Sequence, residues 1–158
     1  MDNVRFLENK FSKEIKKHIS KALPNLQAYF EFRPSTDEED CNLSFDLVFS
    51  LDFTISVRIR KFKYLNYSDL TIRSKSKNNG KTEIDKIMEG KAQVYFYAYM
   101  NEEENKLIKV RIANVESIRK LTTSNIYTHR KNNDQTEFYA YSFENIKKMK
   151  GNIYKYDI

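Results

Sequence analysis

Two runs of strict alternation between apolar and polar side chains, within residues 43–61 (LSFDLVFSLDFTISVRIRK), constrain the fold of this chain most strongly. One face of the first run is apolar, with Leu43, Phe45, Leu47 and Phe49, and one face of the second has Phe53, Ile55, Val57 and Ile59. Alternation with a period of two is typical of a β-strand that buries one face. Because only Leu51 and Asp52 separate the runs, the simplest interpretation is an antiparallel hairpin.

That hairpin places Asp46 on the same polar face as Ser56 and Arg58. A carboxylate beside a cation on a strand is either part of a functional site or a plain ion pair. The sequence leaves both interpretations open. The answer depends on whether the fold brings further acids to Asp46.

The other segments predict helices and strands around this hairpin. Apolar residues recur at helical spacing from Val4 to Leu23 and stop at Pro24, so a helix of about five turns opens the chain. Alternating segments predict strands at residues 28–33, 70–73, 92–100, 107–112 and 137–141. Polar caps at Thr82, Asn114 and Ser142 predict helices at residues 82–90, 114–121 and 142–150. Residues 122–136 are interpreted as a loop, and residues 152–158 as a tail that pairs at a sheet edge.

These elements predict an α/β (α+β) fold in which one mixed central β-sheet is flanked by helices. At 158 residues, we expect the whole chain, 1–158, to form a single domain. Tyr95, Tyr97 and Tyr99 share one face of the strand at residues 92–100; this row can stack on bases or pack under a helix, and we favour packing. His18 is interpreted as a core or helix-surface residue rather than a metal ligand, because neither a second histidine nor a cysteine lies nearby.

Positive charge is concentrated in residues 58–91. This stretch has ten cations and four anions and therefore carries the whole net charge of +6. Clustered lysine and arginine side chains neutralise phosphates, so the stretch indicates a surface that binds nucleic acid, with DNA as the expected partner. The alternative is an ordinary solvated surface. The predicted binding residues are Arg58, Arg60, Lys61, Lys63, Arg73, Lys75, Lys77 and Lys81.

Several classes of protein are excluded. Only three glycines occur, and they lie far apart, so the chain has no glycine-rich phosphate loop of the kind that ATPases, kinases and dinucleotide enzymes use. The single cysteine, Cys41, cannot form an internal disulfide and suits a reducing compartment. No apolar run approaches the ~18 residues of a membrane span. We therefore expect a cytoplasmic protein that has no membrane partner.

The order of the elements resembles the PD-(D/E)xK nuclease superfamily, which has the restriction-endonuclease-like fold. The shared order is a helix, a strand, a strand with an aspartate, a strand that ends in an acid-x-base triplet, and a helix. The segments IRSKSKNNGKTEIDKIMEG, VYFYAYM and TEFYAYSFENI also resemble those of phage and bacterial proteins of this kind. The resemblance implies a phage or mobile-element nuclease in which Asp46 and a second acid hold Mg²⁺ while a lysine positions the attacking water.

The chain departs from the family pattern at the triplet, where Ser56 and Arg58 occupy the positions of the acid and the lysine. Arginine hardly loses its proton, and a single carboxylate holds Mg²⁺ poorly. Under the resemblance, Glu83 on the following helix supplies the missing acid, with Glu31 as second choice, and Lys86 replaces the lysine. The implied catalytic residues are Asp46, Glu83, Lys86 and Arg58, and the implied Mg²⁺ ligands are Asp46 and Glu83.

Three functions stay open from the sequence. The first is a Mg²⁺-dependent endonuclease that uses these residues. The second is a nuclease fold that does not cleave and instead binds DNA or a host protein as an inhibitor. The third is an assembly component, such as a homodimer that forms through the tyrosine-rich strand.

Overall fold

The computed structural model describes residues 2–24, 33–34, 47–50, 53–76 and 80–158 of the protein. Its first helix, α1 (Asp2–Ala22), ends just before Leu23 and Pro24, as the apolar periodicity predicts. Phe11, Ile15 and Ile19 lie on its buried side. A helix with one apolar stripe needs a sheet or another helix to cover that stripe, and in this fold a β-sheet covers it.

The described strands are β1 (Arg33–Pro34), β2 (Leu47–Ser50), β3 (Phe53–Arg60), β4 (Asp69–Lys75), β5 (Val94–Met100), β6 (Leu107–Asn114), β7 (Thr128–Lys131), β8 (Glu137–Ser142) and β9 (Asn152–Asp157). They form a six-stranded sheet in the order β1-β2-β3-β5-β6-β9 and a three-stranded sheet in the order β4-β8-β7. In the larger sheet, β3 and β5 are parallel and the other neighbours are antiparallel. The mixed central sheet that the sequence predicts is therefore confirmed.

Two strand pairs test the pairings that the sequence predicts. β2 and β3 pair antiparallel with Leu47 opposite Ile55, which confirms the hairpin for the residues that are described. β9 pairs with β6 at the edge of the larger sheet, as predicted for the tail. Parallel strands need a crossover, and the connection from β3 to β5 passes through β4 and the helix α2 (Glu83–Met88).

The helices α2, α3 (Val115–Thr123) and α4 (Phe143–Lys148) begin where polar caps predict them. Thr82 and Asp85 form a reciprocal capping box before α2. The side chain of Asn114 accepts a hydrogen bond from the amide of Glu116, and Ser142 accepts one from the amide of Asn145. Each cap satisfies an amide that a helix start would leave without a partner. Among the described helices, none is both long and apolar enough to cross a membrane.

The two faces of β5 belong to two different hydrophobic clusters. Val94, Phe96, Ala98 and Met100 pack with α1 and with β3 and β6. Tyr95, Tyr97 and Tyr99 face the opposite way, into a cluster with residues of β4, α2, α3 and β8. The protein is thus an α+β domain in which the larger sheet is covered on both sides. The tyrosine row is buried in this second cluster, which confirms packing rather than an exposed stacking surface.

The structure differs from the sequence prediction in the second sheet. Residues 122–136, interpreted as a loop, contain β7, which pairs with β8, so that interpretation was wrong. The sequence of β7, THRK, has no apolar alternation because it is a short edge strand whose side chains are half-buried or exposed, and charged residues are common at such edges. Residues 28–32 of the predicted first strand lie outside the described residues.

His18 is buried between α1 and β9, which confirms its assignment as a core residue. Its Nδ1 lies 3.1 Å from the hydroxyl oxygen of Tyr154, and its ring centroid lies 4.6 Å from that of Tyr156. Burial, together with the positive charges of Lys21 and Lys17, lowers the pKa of His18 from 6.5 to about 4. Within the fold, His18 is therefore neutral at pH 7.

We expect acid to destabilise the protein through this residue. Because the pKa of His18 is lower in the folded protein, the unfolded chain binds its proton first, so stability falls as the pH drops from 6.5 toward 4. The loss amounts to about 2 kcal/mol between about pH 7 and pH 5. Urea denaturation of the wild type and His18→Gln at both pH values measures this loss. The titration of the other groups affects both proteins equally and cancels in the difference between their free energies of unfolding. A pH-independent difference would contradict the prediction.

Candidate functional site

Asp46, the first residue of the predicted site, lies outside the described residues, as do Glu31 and Lys77. Their roles stay predictions. Of the other predicted catalytic residues, Arg58 lies on β3, and Glu83 and Lys86 lie on α2. Glu83 is the first residue of α2 and Lys86, which is half-buried, belongs to its last turn.

The polar face of β3 is covered by the second layer of the fold. Thr54 and Ser56 are buried, and only 23% of the Arg58 side chain is exposed. Thr54 is satisfied inside the protein, since its hydroxyl donates to the carbonyl oxygen of Lys91 at 2.8 Å. Ser56 and Arg58, the residues predicted to occupy the acid-x-Lys positions, therefore lie largely beneath neighbouring elements.

Donors from three strands converge on the carboxylate of Glu83. Nη1 of Arg58, on β3, donates to Oε2 at 2.6 Å. The backbone amide of Arg73, on β4, donates to the same oxygen at 3.0 Å. The hydroxyl of Tyr95, on β5, donates to Oε1. The structure thus brings together Glu83 and Arg58, two of the predicted catalytic residues, as an internal ion pair.

The negative charge of Glu83 favours the protonated forms of Arg58 and Tyr95. Burial is the largest single effect on the pKa of the Arg58 guanidinium and lowers it, but Glu83, Tyr95 and Tyr97 together outweigh burial and hold the pKa above its usual range. Burial raises the pKa of Tyr95 well above its usual value, and the charge of Glu83 raises it further. Tyr95 therefore stays a hydrogen-bond donor to Glu83, and Arg58 stays a cation beside it.

As arranged here, Glu83 does not fit a Mg²⁺ site. Both of its oxygens accept hydrogen bonds, and one of them lies 2.6 Å from a guanidinium, whose positive charge opposes a metal cation. Mg²⁺ also requires near-octahedral oxygen ligands at about 2.1 Å. Within the described ranges, no three His, Cys, Asp or Glu side chains are grouped so that they could hold a metal. That Asp46 and Glu83 share Mg²⁺ stays a prediction.

The predicted cations fall into two groups. Arg58 is paired with Glu83, Lys75 lies 3.5 Å from Glu137, and Lys81 lies 2.7 Å from Glu89. Arg60, Lys61 and Lys63 lie at the end of β3 or just after it, where the guanidinium of Arg60 lies 4.2 Å from the ring centroid of Tyr64 and the Lys63 amine 5.1 Å from it. Lys61 is exposed and lies 3.1 Å from Glu104. The side chain of Arg73 is exposed on β4.

The fold adds cations to this end of β3 that the sequence analysis did not select. Arg130 of β7 and Lys109 of β6 both contact residues 61–68, the connection between β3 and β4 that we call the aromatic loop. The mixture of aromatic and basic residues in the loop, KFKYLNYS, is visible in the sequence. No local signal connects it to Arg130, because sheet pairing alone brings β7 there.

Comparison with known proteins gives no independent assignment: no protein-family model matches the sequence, and neither a curated protein nor a solved structure matches the chain.

Proposed function

We propose that the protein binds nucleic acid, with DNA as the expected partner, on a restriction-endonuclease-like fold that does not cleave through Glu83. The observation that carries the proposal is the cluster of cations at the aromatic loop and the adjacent end of β3. Arg60, Lys61 and Lys63 converge there from neighbouring positions, and the last two are exposed. Clustered cations of this kind neutralise phosphates and release bound counterions.

The order of elements supports the nuclease-like part of the proposal. The helix α1 is followed by the antiparallel strands β1, β2 and β3, then by α2, and β5 returns parallel to β3. That is the order which the PD-(D/E)xK resemblance implies, with β4 inserted before α2. A phage or mobile-element origin and a cytoplasmic location belong to the same proposal.

The contacts of Glu83 favour binding over hydrolysis. Hydrolysis of this type needs a metal that stabilises charge on the phosphate and activates water. Glu83 is instead the acceptor for Arg58, Tyr95 and the amide of Arg73. We therefore assign Glu83 to holding β3, β4, β5 and α2 together.

We expect salt-sensitive nucleic-acid binding that survives EDTA. Fluorescence anisotropy with labelled DNA and RNA, over a series of salt concentrations, measures the affinity and its salt slope. Lys61→Gln with Lys63→Gln is expected to reduce the slope of log K against log salt by roughly 1.5, because each phosphate contact contributes about 0.7 to 0.9. The matched control is Lys120→Gln with Lys148→Gln, which removes two exposed lysines that pair with glutamates on α3 and α4.

Two outcomes decide against the proposal. Absent or salt-independent binding shifts the function to a protein partner, such as a host protein. Metal-dependent cleavage of plasmid or branched DNA, with Mg²⁺ or Mn²⁺, that Asp46→Ala abolishes establishes the nuclease alternative. Cleavage that survives Asp46→Ala does not use the predicted site and therefore does not support the nuclease alternative as stated here.

A further inference from the structure

The aromatic loop presents ring surface to solvent. Among the residues whose burial the structure describes, the exposed large hydrophobic side chains are Phe62, Tyr67, Met88, Ile126 and Ile158. The two aromatic ones both lie in the aromatic loop, with Phe62 40% and Tyr67 48% exposed. Aromatic side chains carry a large apolar surface, and tyrosine in particular is enriched at binding interfaces.

Cations flank two of the three rings of this loop, those of Tyr64 and Tyr67. Arg60 lies 4.2 Å from the ring centroid of Tyr64, the ring centroids of Tyr64 and Tyr67 are 6.3 Å apart, and Arg130 lies 5.7 Å from that of Tyr67. Arg130 is oriented by Asp69, whose Oδ2 accepts from its Nη2 at 2.7 Å. The order along this row of side chains is therefore a cation, two rings and a cation, with Tyr64 half-buried and Tyr67 exposed.

The backbone of the loop is fixed from beneath. Nζ of Lys109 donates to the carbonyl oxygen of Leu65 at 3.1 Å and to that of Tyr67 at 3.4 Å. The hydroxyl of the buried Tyr99 lies 3.4 and 3.3 Å from the carbonyl oxygens of Tyr67 and Asp69, which share its single hydrogen. A loop that is held by side chains of β5 and β6 loses little conformational entropy when it binds a partner.

We infer that the aromatic loop binds single-stranded nucleic acid by stacking unpaired bases on Phe62 and Tyr67, while Lys61, Lys63 and Arg130 contact the phosphates. This inference rests on the proposed function. Bases in a duplex are already stacked on one another, so only single strands offer free faces to protein rings. An acidic protein would use the cations but not the rings. The rings of Phe62 and Tyr67 therefore distinguish single-stranded nucleic acid from a duplex or an acidic protein, which the cations alone cannot do.

The test compares a labelled oligothymidylate with a duplex of the same length. We expect Tyr67→Ala and Phe62→Ala each to weaken binding of the single strand about fivefold or more, since base–aromatic stacking contributes roughly 1–3 kcal/mol per base. Tyr67→Phe keeps the ring and is expected to retain the affinity of the wild type. Ile126→Ala is the matched control, because Ile126 is 43% exposed and lies outside the loop. Circular dichroism checks that each variant is folded.

The outcomes separate this inference from the proposed function. If both oligonucleotides bind and neither alanine variant weakens the single strand selectively, the cations bind phosphate without stacking and the inference is overturned. If polyglutamate competes as well as the oligothymidylate at equal charge, the surface binds acidic protein and the inference is overturned too. If neither oligonucleotide binds, both the proposed function and this inference are overturned. Selective loss of single-strand binding, with duplex binding unchanged, supports the inference.

Discussion

Replacing Glu83 with glutamine is expected to lower the free energy of unfolding by about 3 kcal/mol, because the substitution breaks a largely buried ion pair. The side chains of Arg58 and Glu83 are only 23% and 25% exposed. Glutamine offers one carbonyl oxygen where glutamate offers two oxygens. It can therefore accept either from Tyr95 or from Arg58 and the amide of Arg73, and the other side is left without an acceptor. Urea denaturation, with the midpoint and slope compared with those of the wild type, measures the loss.

Glu89→Gln, at the residue that directly follows α2, is the matched control. Glu89 pairs with Lys81 at 2.7 Å, but the Lys81 side chain is 62% exposed, and exposed pairs contribute less than about 1 kcal/mol. Denaturation of both the wild type and Glu83→Gln, with and without Mg²⁺, completes the experiment. A ligand that binds only the folded state raises its stability, so Mg²⁺ should stabilise the wild type, but not Glu83→Gln, if Glu83 is a metal ligand. Stability that is unchanged in Glu83→Gln would contradict the structural role assigned here.

Local patterns were sufficient to predict most of the described elements, with β7 as an exception, but not the layer that covers the polar face of β3. The alternation of β2 and β3, the periodicity of α1 and the caps Thr82, Asn114 and Ser142 are each encoded within a few residues. The polar positions of β3 are different. Thr54 and Ser56 suggest a solvated face, yet both are buried, because an internal partner can satisfy a polar side chain as well as water can, as Lys91 does for Thr54. The alternation of apolar and polar residues cannot distinguish a polar face that contacts water from one that has partners inside the protein.

The candidate site shows the same limit. Sequence analysis selected both Arg58 and Glu83, but it could not show that the two side chains neutralise each other, because they are 25 residues apart and meet only in the fold. Arg130 reaches Asp69 across 61 residues from a strand that has no apolar alternation. The charge concentration in residues 58–91 does not reveal which cations have acidic partners in the fold: Arg58, Lys61, Lys75 and Lys81 each lie within 3.5 Å of a glutamate.

Replacing Tyr97 with alanine is expected to cost about 3–5 kcal/mol of stability, the usual range for removing a buried aromatic side chain. Tyr97 is 1% exposed, and its ring centroid lies 5.4 Å from that of Tyr99 and 6.3 Å from that of Phe143. The cavity would open between the larger sheet and the elements that cover it. Urea denaturation measures the loss, and Tyr97→Leu gives a measurable intermediate if the alanine variant does not fold.

Two controls show that the loss comes from the buried ring of Tyr97. One removes only the hydroxyl group, and the other makes the same tyrosine-to-alanine change at an exposed position. Tyr97→Phe is expected to cost only about 1 kcal/mol, because Thr71, the hydrogen-bond partner of the hydroxyl at 3.2 Å, also accepts from Arg60. Tyr67→Ala makes the same change at an exposed tyrosine and is expected to cost less than about 1 kcal/mol. Compared with the wild type, Tyr97→Ala should therefore lower the free energy of unfolding, whereas Tyr67→Ala should weaken the binding of single strands. A Tyr97→Ala protein that keeps its stability but loses single-strand binding would place the stacking surface on the tyrosine row instead.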